Sequence, residues 1–176
     1  MSEDAPSRAQ AGSDRVASDS AQQALWPWAL QAYRAEGVAD ACLSLQDVNS
    51  QNVPLLLWAA WAATSGRSLD EDTIEAGCDA ARAWDRVAVT PLRAMRRTLK
   101  LPVPDIDDAA REALRDQVKA VELAAERHLL AGLEILTPTP DGPSRPAIDG
   151  LVAVARVWSR VVPRPALIAL AERLPA

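Results

Sequence analysis

Phenylalanine is absent from this chain, tyrosine and histidine occur once each, and cysteine occurs only twice. A single histidine, His128, leaves no material for a His-rich metal site or a two-His proton relay. Cys42 and Cys78 have no CxxC neighbour, so neither a zinc ribbon nor a redox dithiol is supported. Seven glycines in 176 residues do not supply a Gly-rich phosphate loop. The longest apolar run is Val53 to Ala63, 11 residues, whereas a membrane span needs about 20. The first 23 residues hold no apolar stretch of the secretory-leader kind. Together with cysteines expected to be reduced, this predicts a cytoplasmic protein that does not engage a membrane. Basic residues are also in the minority, 19 against 24 acidic ones, for a net charge of -5. A globally basic face for duplex nucleic acid is thereby excluded, and only a local patch could serve.

Hydrophobic residues make up 49% of the chain, six of them Trp. The length suits one domain with a core of Leu, Ala, Val and Trp. Residues 1–23 are rich in Ser, Ala, Asp and Gln and are expected to form a disordered tail, because they bury too little to offset ordering entropy. Helical spacing then begins at Ala24 and runs to Glu36, with Gly37 as a left-handed cap. A second helix is expected over Val38 to Gln46. After the polar turn from Asp47 to Asn52, Pro54 suits a first helical turn, and every residue from Leu55 to Ala63 is apolar. A helix apolar around its whole circumference belongs at the centre of a bundle.

Ser68-Leu69-Asp70-Glu71 has the form of a capping box. The stripe Ile74, Cys78, Ala81, Trp84, Ala88, Leu92, Met95, Leu99 keeps helical phase through Pro91. One long helix kinked there is predicted, or two nearly coaxial ones with Thr90 as cap. Asp105 is expected to cap a helix reaching Leu136, with Ile106, Ala110, Leu114, Val121, Ala124, Ala125, His128, Gly132 and Ile135 on its inner face. Residues 137–150 read as a Pro-rich loop, and 151–176 as C-terminal helices packing on the same core as 24–136. No β-strand finds a partner. The predicted fold is therefore all-α: a single-domain helical bundle of about six helices with a buried central helix.

One charge pattern has geometry. Arg82, Arg86, Arg93, Arg97 and Lys100 fall on one stripe of an unbroken helix, with Arg96 alongside. Six basic groups and one acid, Asp85, occupy residues 82–100 of an otherwise acidic protein. Such a row suits an anion or an acidic partner, since Arg forks match planar anions. Equally, it suits a helix edge that pairs with Glu112, Asp116, Glu122 and Glu126 of the next helix. Trp28, Trp58, Trp61 and Trp84 fall on inward faces, while Trp26 and Trp158 are candidates for an exposed contact patch. His128 lies on an apolar side and reads as a core or interface residue. No nucleophile elbow is present. No carboxylate is flanked by apolar runs that would tune it for acid–base work; Asp40 and Asp47 look like helix-end groups. No catalytic, metal or cofactor site is expected.

Several segments together resemble a known family. They are the aromatic opening at Trp26 and Trp28, Cys42-Leu43-Ser44-Leu45-Gln46-Asp47, Leu55-Leu56-Leu57-Trp58 with Trp61, and Pro91-Leu92-Arg93 with Arg96, Arg97 and Lys100. Over about Ala24 to Leu136 the chain resembles a proteobacterial family of small proteins catalogued as domain of unknown function 2390. The resemblance implies a helical cytoplasmic protein, brings no activity with it, and makes the basic stripe part of a shared pattern.

The expected function is that of a non-enzymatic interaction or adaptor protein whose basic helix edge contacts an acidic protein surface, steered by charge. The alternative is a small-anion or nucleotide-binding protein, or an enzyme, using a groove beside that helix lined by Arg82, Trp84 and Arg86. Nucleic acid is the least favoured partner.

Overall fold

The computed structural model describes residues 23–175. The expected disordered tail, save Gln23, lies outside the described residues. Eight α-helices follow in order: α1 (Leu25–Arg34), α2 (Val38–Asp47), α3 (Val53–Thr64), α4 (Glu71–Trp84), α5 (Thr90–Thr98), α6 (Asp108–Leu136), α7 (Ala147–Trp158) and α8 (Arg164–Ala171). A π-helical turn, Asp85–Val89, joins α4 to α5 without interruption. The bundle thus has seven helical rods, in keeping with the expected all-α bundle of about six, and no strand among the described residues.

The central helix is α3. Asn52 starts it: its side-chain oxygen accepts from the Leu55 amide at 3.0 Å, and Pro54 fills a first-turn position whose N–H would be orphaned anyway. Every residue from Val53 to Ala63 is buried. Neighbours on all sides, α1, α2, α4, α6 and α7, account for this. Burying a large side chain of this kind is worth about 1.5–3 kcal/mol. The two tryptophans of α3 dispose of their polar atoms at the helix surface. Trp58 Nε1 donates to Thr137 Oγ1 at 2.7 Å, and Trp61 Nε1 donates to the Gln23 carbonyl at 2.9 Å. The closest helix pair is α3 with α7, where Gly150 lies directly on the Ala59 carbonyl and leaves no room for a Cβ. The proline-rich connection before α7 is held to the end of α3: Arg145 N–H donates to the Ala63 carbonyl at 2.8 Å, and Asp141 N–H to Gly66 at 3.0 Å. These bonds start α7 at Ala147, inside the stretch expected to be loop.

Two helix starts differ from expectation for a local reason. Asp70, not Ser68, caps α4, its carboxylate accepting from Thr73 N–H at 2.8 Å. Asp107, not Asp105, caps α6 by accepting from Ala110 N–H at 2.8 Å, while Asp105 itself takes a left-handed φ of 65°. In both runs of candidate caps, the acid just before the first helical residue wins, since only its side chain reaches the free amides three residues on.

The larger departure is the π turn. Thr90 N–H bonds to the Asp85 carbonyl, five residues back, which places one extra residue in the turn ahead of Pro91. Inward positions downstream therefore move up by one, about 100° of rotation. Val89 is buried where Ala88 was expected, and Met95 is exposed while Arg93 and Arg96 turn toward α6. The inner face of α6 moves as well. Val118, Glu122, Ala125, Leu129 and Leu133 are buried, and Ile106, Leu114, Val121 and Ile135 are exposed. His128 sits at the surface, its ring stacked on Trp84 at 6.0 Å between centroids.

Candidate ligand cavity and basic edge

The six predicted basic residues do not form one outward row. Arg93 and Arg96 converge on Glu122, which is buried in α6. Arg93 Nε donates to one Glu122 oxygen at 3.1 Å, and Arg96 Nε to the other at 2.6 Å. Arg93 also reaches Glu126 at 3.4 Å. Burial alone would raise the Glu122 carboxyl, but hydrogen bonds from Arg96 and Arg93 and their charges outweigh it and hold Glu122 below the usual carboxylate range. The same bond to Glu122 raises Arg96 further. Arg82 pairs with Asp79 at 3.0 Å, donates to the Val157 carbonyl and lies over the Trp158 ring. Arg97 pairs loosely with Asp47 at 3.4 Å. Arg86 and Lys100 are exposed and make no ion pair among the described residues. Of the acids expected opposite the row, Glu122 and Glu126 meet it, whereas Glu112 bonds instead to Arg111 and Arg115 of its own helix.

The groove anticipated beside Arg82, Trp84 and Arg86 is not where the cavity lies. Between α5 and α6 lies the Arg–Glu cluster, and on the α4 side Trp84 stacks on His128. A cavity of about 350 Å³ opens instead on the other side of α5. Its walls come from the α2–α3 turn, the start of α3, the π turn, α5, Glu126 of α6 and Trp158 of α7. Asn52 contributes twice: its oxygen caps α3 and its amide donates to Asp85 at 3.3 Å. Asp85, in the π turn, has that amide and no ion pair among the described residues. Burial raises its carboxyl above the usual range, against the lowering effect of Asn52 and Arg93. Glu126 is raised too, chiefly by burial, with the charges of Glu122 and Asp85 adding to it and Arg93 opposing. Two desolvated carboxyls beside two arginines in one concavity is an arrangement typical of binding sites.

The cavity rim holds another uncommon feature. Ser50 adopts a left-handed φ of 53°, a conformation that costs a non-glycine residue on the order of 1 kcal/mol. Its carbonyl accepts from Trp158 Nε1 at 2.9 Å, which fixes the indole against the opening. Gln51 is almost wholly buried, and its Oε1 has no hydrogen-bond partner among the described residues.

The second aromatic candidate is not an open patch either. Trp26 is half-buried against the core with Arg127 over its ring at 5.2 Å. It borders a separate groove of about 330 Å³ between α1 and α6, lined almost entirely by apolar atoms. Trp26 and Trp158 therefore sit at two different concavities. Sequence reasoning missed Asn52, Asp85 and Glu126 as cavity groups. The signal open to it was Asp85, the one acid inside the basic segment.

Among the described residues no helix is long and apolar enough to cross a membrane, and no cluster of His, Cys, Asp and Glu suits a metal. Both cysteines are buried and free, and burial pushes each thiol up to about 11. No curated protein and no solved structure matches the chain. A family model described as protein of unknown function (DUF2390) matches residues 24–133, more than half of the chain, including Asn52, Asp85, Arg93, Arg97 and Glu126, and the chain belongs to that family.

Proposed function

We propose that this protein binds a small polar molecule in the cavity between the α2–α3 turn, α5 and Trp158. The observation that carries the reading is convergence: Asn52, Asp85, Arg93, Arg97 and Glu126, drawn from four separate parts of the chain, border one concave space. Desolvated carboxyls and a left-handed Ser50 at its rim support it, because both are kept at a cost in stability. Thermal-shift measurements with amines, amino acids, carboxylates and phosphates test it. A binding compound raises the melting temperature of the native chain. It does not raise that of Ala94→Trp, in which an exposed cavity-wall residue is enlarged to fill the space. Equal shifts in both proteins, or none with any compound, overturn the reading.

A second reading follows from the outer edge of α5 and the π turn. Arg86, Arg97 and Lys100 are exposed on it beside the exposed Met95 and Leu101. These side chains suit contact with an acidic protein surface, an attraction that salt screens. Charge reversal by Arg86→Glu with Lys100→Glu abolishes association with such a partner; unchanged binding and salt dependence rule this reading out.

A further inference from the structure

We propose that the polar cavity and the apolar groove form one two-part site for an amphiphilic amine, with its ammonium group set against Asp85 and its hydrocarbon part lying between α1 and α6. The inference rests on the polar-cavity reading and adds the chemical class of the ligand.

The first support is adjacency. The polar cavity and the apolar groove share three wall residues, Val53, Pro54 and Glu126. Glu126 is the polar one of the three, its carboxylate held from the α5 side by Arg93 at 3.4 Å. The polar cavity adds Asn52, Asp85 and Arg97; the apolar groove adds Trp26, Leu30, Tyr33, Leu57, Leu123 and Leu130. A molecule that passes Glu126 from one to the other meets polar groups at one end and apolar groups at the other.

The second support is the charge of the polar end. Its lining holds two arginines against three carboxylates, Asp47, Asp85 and Glu126. Arg93 is engaged by Glu122 and Glu126, and Arg97 by Asp47. Asp85 is left with a neutral amide as its only polar side-chain partner among the described residues. Asp85 feels the charge of Arg93 but forms no ion pair among the described residues, and such a half-buried carboxylate is matched by a cation carrying N–H donors. An anionic head group would instead have to displace Glu126 or Asp47 from its arginine.

The third is the tail compartment. Leu30, Tyr33 and Leu123 are each between 40% and 52% exposed while facing this one groove. Covering such a surface with hydrocarbon removes it from water at a favourable free energy.

The test is calorimetric titration of the full chain with n-alkylamines from ethylamine to decylamine, below micelle-forming concentrations, with the matched alkanoates and 1-alkanols alongside. Affinity for the amines rises up to about fourfold per added methylene, then levels off when the groove is full. Asp85→Asn weakens every amine by a common factor of at least about tenfold, the scale of one lost charge-assisted contact. Leu123→Asn, at an exposed position that does not support the core, flattens the dependence on chain length and leaves ethylamine unchanged. Amine binding that needs Asp85 but is indifferent to chain length overturns the two-part site and leaves the polar cavity standing. Tighter binding of alkanoates than of alkylamines overturns the head-group assignment. Binding of neither series overturns this inference, and the thermal-shift screen then decides separately on the cavity.

Discussion

The region around α3 and the hairpin of α5 with the first half of α6 are built on opposite physics. Around α3 eleven consecutive residues are buried, from Val53 to Ala63, and the indole N–H groups of Trp58 and Trp61 find neutral acceptors at the boundary. In α5 no residue is buried at all. The first half of α6 buries Arg111, Val118 and Glu122. What holds the hairpin is charge: Arg93 and Arg96 on Glu122, with Arg111 on Asp108, Glu112 and the Leu99 carbonyl. Non-directional packing tolerates salt and moderate acid, whereas a cluster of ion pairs tolerates neither. The cavity lined by Asn52, Asp85 and Glu126 lies along the seam between the two regions, where neither mode of bonding fills space completely.

Three substitutions separate the regions. Trp58→Ala has the largest expected effect, a loss of about 3–5 kcal/mol, measured by denaturant unfolding and independent of salt. Glu122→Gln comes next, at about 2–4 kcal/mol near neutral pH, because it leaves two arginines facing a neutral amide. The sign of its pH dependence follows from the lowered Glu122 carboxyl. Its stabilisation is present above the usual carboxylate range and is lost as pH falls through its folded-state value, so native protein and variant converge in acid. If the gap between the two instead fails to narrow at all as pH falls below the usual carboxylate range, charge is not what holds the hairpin. Asp85→Asn has the smallest effect and the opposite direction. Burial makes ionised Asp85 unfavourable, and native stability rises as pH falls through its raised value. The variant, free of that cost and still bonded to Asn52, melts about 1–3 °C higher at pH 7. A lower melting point would show that Asp85 is already compensated in the unliganded protein.

These two regions also differed in how far they could be read from the residues. The run from Leu55 to Ala63 carries its own environment, since no arrangement of an all-apolar helix leaves one side wet. Asn52 and Pro54 mark its start by local chemistry that needs nothing distant. In the hairpin, periodicity misled. The spacing from Ile74 to Leu99 fits an unbroken α-helix, and nothing local to residues 85–89 announces an extra residue in the turn. That insertion is tied to pairing with Glu122, some 30 positions away along the chain. The cavity was hidden for the same reason. Asn52, Asp85 and Glu126 are unremarkable helix-end or helix-edge residues until three helices bring them together. The alternation of helices, the single domain and the buried centre were legible, whereas the rotation of α5 and the place of the cavity were matters of tertiary choice.

The five residues from Asp85 to Val89 set which side of the rod beyond them looks inward. Deleting one of them would return the segment to ordinary helical winding and swing Arg93 and Arg96 away from Glu122, leaving the rod almost as long as before. A one-residue gain or loss at this point would thus re-aim every side chain from Thr90 to Thr98 while changing the length of the rod by little.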